Sequence, residues 1–296
     1  MTDNRFFRGH KRRGGFDLFS SYDHFVPGWT GVMVLVLIFC LGMGISALVQ
    51  LGLTTFAGNT LATKYGLLIV YPIMFIPTLI YASAASRAKS HLVTAVPLDR
   101  KLHTADRKSS GSVIFACIFS TIAAAYVLEA GTMLLPEMPD NLKEYMKFLM
   151  NGMPTWVAFI SVAIYAPLFE EWLCRGLILR GLLQKTNPAV AILVSAAFFS
   201  LIHGNLWQAV PAFGMGLLFG YVYYRTGSLK LTMLMHFVNN AMALFISKIP
   251  QFKDAETFMD ILSPWAYWCI FAACLVITAS GIILIKSSTT RSQSVN

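Results

Sequence analysis

Charged residues are scarce in this sequence. Asp, Glu, Lys and Arg make up 12% of its 296 residues, whereas hydrophobic residues make up 56%. Soluble domains average about 25% charged residues. A single core of this size cannot hide so much apolar surface from water. The composition therefore excludes an ordinary soluble domain and predicts an all-α fold, a polytopic membrane helical bundle.

Cysteine pairs with redox or metal-site spacing are also lacking. All five cysteines fall in apolar segments and none forms a Cys-x-x-Cys motif, which favours small buried hydrophobic residues over a disulfide framework or a metal site. The net charge of +9 does not indicate nucleic acid, because the basic residues cluster between apolar segments and no RNA- or DNA-binding signature accompanies them. The partner that this pattern predicts is a lipid bilayer. Nothing in the sequence indicates an oligomeric state.

Eight apolar segments approach the roughly 20 residues that a spanning helix needs. They lie at about 28–52, 66–86, 111–135, 155–184, 188–204, 207–224, 229–247 and 264–286. No internal repeat is visible. We divide the chain into a basic tail (1–27), the first three spans with their loops (28–154), a core (155–247), and a last span with a second tail (248–296).

Loop charges orient these segments. The N-terminal tail and the loop between the second and third segments are rich in Lys and Arg, as are the loops near 180–185 and 225–230 and the C-terminal tail. In the opposite loops, lysines are few or are offset by acidic residues. The positive-inside rule therefore predicts a multi-pass protein of the cell membrane with both termini in the cytoplasm. Residues 16–29 mix aromatic and polar groups, which fits either an interfacial segment or an ordinary aromatic belt.

Few polar residues interrupt the apolar segments. They are Glu129, Glu170, Glu171, Arg175, His203, His236, Asn239 and Asn240. A charge at membrane depth costs several kcal/mol, so such residues are usually functional. Glu171 and Arg175 are four residues apart on one helix and can form an ion pair. Glu170 points about 100° away and has no local partner, which makes it a candidate acid or base.

His236 and Asn240 also lie four residues apart, so their side chains share one helix face. Two converging N–H donors are what a developing oxyanion needs. His203 follows about 15 residues after Pro188, or roughly 22 Å of helix, which is shorter than the hydrocarbon layer and predicts a position below the outer surface. Taken singly, each histidine is also compatible with an interhelical hydrogen bond, which is the less favoured alternative, and we expect structural roles for Glu129 and Asn239.

Three motifs on successive apolar segments resemble a known family. They read Glu170-Glu171-x-x-x-Arg175, Phe199-x-x-x-His203 and His236-x-x-x-Asn240. In this order and spacing they resemble the motifs of the CPBP family, which comprises the CAAX prenyl proteases and the bacteriocin-processing or bacteriocin-immunity proteins often called Abi-domain proteins. The resemblance covers roughly residues 155–247. All motif positions are intact.

The resemblance implies an intramembrane endopeptidase acting on a membrane peptide or protein. It assigns water activation to Glu170 and His203, oxyanion stabilisation to His236 and Asn240, and a supporting role to Glu171, Arg175 and Phe199. No cofactor is favoured, because His-Glu-x-x-His is absent. Zinc held by Glu170, His203 and His236 is the alternative. Gly-x-Ser-Gly and Gly-x-Gly-Asp are absent too, which disfavours other intramembrane protease classes.

Two other functions stay open at this point, a non-catalytic peptide-binding or immunity protein and a proton or cation transporter. A prenylated peptide and a leader peptide are both compatible substrates. Depth counting raises one difficulty: Glu170, His203 and His236 fall at different membrane depths. We expect them to meet only if helices tilt, shorten or start deep, and Pro167 is a candidate site for a kink.

Overall fold

The computed structural model describes residues 19–102, 107–252, 255 and 257–289, with the side chains of 107–109 excepted. The chain termini, which carry part of the predicted cytoplasmic tails, lie outside these residues. The regular structure within them is helical. Its main helices are α1 (Trp29–Ala57), α2 (Asn59–Lys89), α3 (Arg107–Glu129), α4 (Asp140–Lys147), α5 (Thr155–Leu182), α6 (Pro188–Leu201), α7 (Leu206–Thr226), α8 (Leu229–Ile246) and α9 (Pro264–Ser288).

All eight predicted segments are helical, but only six of the described helices are long and apolar enough to cross a membrane. The prediction of about eight spans is therefore corrected in two places. Helix α6 has 14 residues, about 21 Å, which is too short for a bilayer core. Helix α7 has 21 residues but is less apolar and contains Gln208, Pro211 and Arg225. Helix α4 lies in the loop between the third and fourth segments, where no helix was expected.

Helix α5 changes its winding around the acidic pair. Its α-helical stretch Ala166–Glu171 lies between two π-helical stretches, Phe159–Tyr165 and Trp172–Leu179. Pro167 stands at the start of the α-helical stretch. The sequence predicted a kink at this proline, and the structure has π-helical turns immediately before it. Because π turns are frequent at functional sites, this winding distinguishes the middle of α5 from the other helices.

One end of the bundle gathers the basic loops. Arg180 donates hydrogen bonds to the carbonyl oxygens of Phe25 and Val96. Arg225 donates to the carbonyl of Lys286 at 2.7 Å. A Cβ at Gly181 would stand 2.2 Å from the carbonyl oxygen of Pro27, so a side chain there would prevent this close approach. We name this end of the bundle the basic end.

The aromatic segment before α1 packs into the basic end. Phe25 is 2% exposed, and the ring of Tyr22 meets that of Trp172 edge-on at 5.1 Å. Phe25 therefore belongs to the core of the bundle, and Phe19 and Tyr22 pack against that core. Neither of the two predicted alternatives, an interfacial segment or a simple aromatic belt, anticipated this.

The opposite end is held by different contacts. The indole of Trp207 donates to the carbonyl of Pro136 at 3.0 Å, and Lys248 donates to Asn151 Oδ1 at 3.2 Å. Glu129 accepts from the backbone N–H of Phe258 at 2.7 Å and from the hydroxyl of Tyr267 at 2.8 Å. These two bonds give Glu129 the structural role expected of it. We name this end the distal end.

Candidate functional site

The four candidate catalytic side chains line one cavity. Its volume is about 440 Å³, and Glu170, His203, His236 and Asn240 all contribute to its wall. The ring of Phe199 lies 5.3 Å from both imidazoles, so the two histidine rings are separated by no more than twice that distance. Glu170, His203 and His236 therefore meet in one cavity, although depth counting placed them at different membrane depths.

Glu170 has one bonded and one unbonded carboxylate oxygen. Its Oε1 accepts a hydrogen bond from the hydroxyl of Tyr71 on α2. Its Oε2 is buried without a hydrogen-bond partner, 4.0 Å from Nε2 of His236. An unpaired buried acceptor carries a desolvation penalty of about 1–3 kcal/mol. Glu171 Oε2 and Arg175 Nε are also buried without a partner, but of these three residues only Glu170 lines the cavity, where a ligand or a water can reach its Oε2.

Glu171 forms the predicted ion pair and a second bond that the sequence did not indicate. Its Oε1 accepts from Nη1 of Arg175 at 2.7 Å and lies 3.1 Å from Nδ1 of His236. Both Glu171 and Arg175 are fully buried. Glu171 therefore also orients His236, whose Nε2 is left on the side of Glu170.

Arg175 ties the wall of the cavity together. Its Nη2 donates to the carbonyl oxygen of Gly216 at 3.0 Å, which joins α5 to α7. The guanidinium lies over the ring of Phe199 at 4.4 Å and over that of Phe219 at 5.4 Å. A desolvated cation on an aromatic face is stabilised by about 2 kcal/mol, so Phe199 supports Arg175 as well as separating the two histidines.

His203 stands in the turn after α6 and is held by its own helix. Its Nδ1 lies 2.8 Å from the carbonyl oxygen of Phe199. A carbonyl only accepts, so Nδ1 carries the proton. In the neutral ring Nε2 is then an acceptor that can hold a water by its hydrogen.

The predicted pair of oxyanion donors is partly engaged. Asn240 donates from Nδ2 to the carbonyl of Val162 at 2.8 Å and accepts from Asn239 at 3.0 Å. One amide hydrogen of Asn240 remains. His236 donates from Nδ1 to Glu171, so its Nε2 is a second donor only in the doubly protonated ring. Asn239 also lines the cavity and makes this bond to its neighbour on the same helix, so the packing bond between helices expected for it is not what the structure has there.

The predicted zinc ligands do not form a metal-binding group. In the part of the chain that the structure describes, no three His, Cys, Asp or Glu side chains are placed to hold a metal ion together. Two ligands on one tetrahedral zinc stand roughly 3.4 Å apart, given zinc–ligand distances of about 2.0–2.1 Å. The 4.0 Å between Glu170 Oε2 and His236 Nε2 is wider than that.

Tyr71 is a site residue that sequence reasoning missed. It lies on α2, 99 residues before Glu170 and outside the three motifs. One turn further along, the ring of Phe75 stacks on that of Phe169 at 5.1 Å, which fixes α2 against α5. Tyr71 is one of 11 tyrosines in the chain and no spacing marks it. Only the packing of two distant helices reveals it.

Comparison with known proteins finds similarity over the segment that contains the site. Residues 152–242 match the family described as "Type II CAAX prenyl endopeptidase Rce1-like". Over 91 residues the chain is 29% identical to the Bacillus subtilis (strain 168) protein named "Putative membrane peptidase YdiL". That alignment spans 31% of this chain and 37% of the relative. No solved structure matches the chain.

Proposed function

We propose that this multi-pass membrane protein is an intramembrane endopeptidase of the CPBP family, because residues 152–242 match the type II CAAX prenyl endopeptidase family. In this proposal it hydrolyses a peptide bond with a water activated by Glu170 and His203. The observation that carries the proposal is the unpartnered Oε2 of Glu170, buried in the cavity that it shares with His203, His236 and Asn240.

The proposed reaction uses Glu170 twice. A water held between Glu170 and Nε2 of His203 gives a proton to Oε2 as its oxygen attacks the peptide carbonyl carbon. The protonated Glu170 then returns that proton to the leaving amine as the carbon–nitrogen bond breaks. The products are a carboxylic acid and an amine. Positioned proton transfer of this kind contributes about 10²–10⁴-fold to a rate.

The oxyanion is stabilised from the other side of the cavity. The remaining amide hydrogen of Asn240 and Nε2 of protonated His236 are the donors in this proposal. Each such donor is worth about 10²–10³ in rate, because it is oriented before the negative charge develops. Glu171 and Arg175 stay outside the reaction and hold His236 in place. In this proposal no step passes through a metal.

A chelator experiment tests the proposal. Membrane peptides of cells carrying Glu170→Ala are compared by mass spectrometry with those of wild-type cells, and a peptide that accumulates becomes the substrate for purified protein. We expect the wild-type protein to cleave it equally well with and without 1,10-phenanthroline. Loss of cleavage with the chelator and rescue by zinc would contradict the metal-free mechanism. Absence of cleavage of any accumulating peptide would contradict the protease.

Removing the Tyr71 hydroxyl should slow catalysis without unfolding the protein. Tyr71→Phe deletes the hydrogen bond to Glu170 Oε1 and leaves the ring packing near Phe75. A hydrogen bond to a charged group is worth about 1.5–3 kcal/mol, so kcat is expected to fall roughly 10- to 100-fold.

The control for Tyr71 lies on the same helix. Tyr65→Phe removes a hydroxyl from a 37%-exposed tyrosine whose ring packs on Trp156, away from the cavity. We expect its kcat to match wild type, with KM unchanged in both variants. A rise in KM with wild-type kcat in Tyr71→Phe would show that the hydroxyl does not position Glu170.

A further inference from the structure

The cavity occupies the middle and the distal part of the bundle. On α2 its wall consists of Leu67, Tyr71 and Met74, all in the half of the helix away from Arg87 and Lys89. The loop before α5 also contributes, through Leu149 and Met150. The lining residues of α3, α5 and α8 lie in the middle of each helix or toward its distal end. Phe39, in the first half of α1, and Phe219, in the second half of α7, lie nearer the basic end and form the buried inner wall of the cavity.

Buried residues close the cavity toward the basic end. Leu98, Leu177 and Leu229 are completely buried between the site and the basic loops. The hydroxyl of Tyr223 donates to the carbonyl of Leu98 at 2.8 Å and fixes this layer. A peptide could reach Glu170 from the basic end only by displacing a packed core, whose side chains are each worth about 1.5–3 kcal/mol of burial.

Exposure of the wall rises toward the distal end. His236 and Phe199 at the inner end are 3% and 2% exposed, whereas Tyr145 at the outer rim is 53% exposed. Gln208, in the first turn of α7, lies between these extremes. The exposed rim of the cavity therefore lies at the distal end of the bundle, away from the basic loops.

The wall of the cavity is largely apolar and rich in methionine. Four methionines line it, Met74, Met146, Met150 and Met215. Methionine is unbranched and polarizable, and it is common where one surface must accept varied apolar side chains. The volume of about 440 Å³ lies in the range of about 300–1,000 Å³ that holds a compact ligand or a few residues of peptide.

We propose that the substrate is an apolar peptide segment that enters from the distal end, on the extracytoplasmic side of the membrane. This inference rests on the proposed peptidase function and on the orientation predicted by the loop charges. The substrate is then a membrane-associated protein whose cleaved segment has already been translocated. A segment confined to the cytoplasmic surface does not reach Glu170.

Thiol labelling in intact cells tests the direction of access. Gln208→Cys places a thiol at the cavity mouth, and Lys101→Cys places one in an exposed basic loop. With a charged, membrane-impermeant maleimide, we expect Gln208→Cys to be labelled in intact cells and Lys101→Cys only after permeabilisation. The parent chain, with its five natural cysteines, is the blank. The reverse pattern would overturn the proposal.

A second measurement separates this inference from the proposed function. Labelling needs no catalysis, so an inactive chain with the expected labelling would overturn the peptidase alone. In an active chain, labelling Gln208→Cys from outside should abolish cleavage relative to the same variant unlabelled. Continued cleavage after complete labelling would show that the substrate does not pass this mouth. If Gln208→Cys fails to fold, Tyr145→Cys on the exposed rim replaces it in both arms.

Discussion

Replacing Glu170 by glutamine is expected to lower kcat for peptide hydrolysis by about 10²–10⁴-fold. Glutamine keeps the size of the side chain and can still accept the hydrogen bond from Tyr71. It cannot take a proton from water near neutral pH. The variant therefore removes the proposed base while leaving the packing of α2 on α5 in place, and KM is expected to change little.

A second carboxylate in a membrane helix provides the matched control. Glu129 lies on α3 and accepts two hydrogen bonds, from Phe258 and Tyr267. It does not line the cavity. Glu129→Gln makes the same chemical change at a structural position, so we expect wild-type kcat at temperatures well below the melting point.

The comparison is decisive in either direction. If Glu170→Gln folds and cleaves as fast as wild type, Glu170 is not the base and the proposed mechanism fails. If Glu129→Gln loses activity to the same extent, the loss reflects charge removal from the membrane core rather than chemistry. Circular dichroism and the elution volume in detergent establish that both variants are folded before rates are compared.

Sequence reasoning predicted what local spacing determines. The ion pair of Glu171 and Arg175 follows from their separation of four residues on one helix, and the structure has it at 2.7 Å. Apolar runs likewise predicted the helices, since a span must satisfy its own backbone hydrogen bonds. The prediction of full spans at α6 and α7 was wrong because it considered only how apolar each segment is. It did not weigh the short length of α6 or the polar residues within α7.

Contacts between distant parts of the chain could not be predicted in this way. Tyr71 meets Glu170 across 99 residues, and His236 meets Glu171 across 65. Neither pair is marked by spacing, because the register of one helix against another depends on all the side chains between them. The same holds for the π-helical stretches on either side of Glu170 in α5, for which we recognised no sequence signal.

Arg175→Met should be the most destabilising single change at this site. It leaves the buried Glu171 without its cation and removes the bond from Nη2 to the carbonyl of Gly216. Breaking one partner of a buried ion pair typically costs about 3–5 kcal/mol, because the remaining charge is not compensated. For a chain of this size that corresponds to a fall in Tm on the order of 10 °C.

A double variant and a surface ion pair test whether the fall in Tm of Arg175→Met comes from the uncompensated charge of Glu171. Glu171→Gln combined with Arg175→Met removes both charges, so its Tm should lie above that of Arg175→Met alone, as expected when two sites are energetically coupled. Lys230, whose side chain is 72% exposed, pairs with Asp99 at 3.2 Å. Because exposed ion pairs contribute only about 0–1 kcal/mol, Lys230→Met should change Tm little. Equal Tm values for Arg175→Met and Lys230→Met would mean that Arg175 does not hold the cavity wall together, and the positioning of His236 through Glu171 would then need another support.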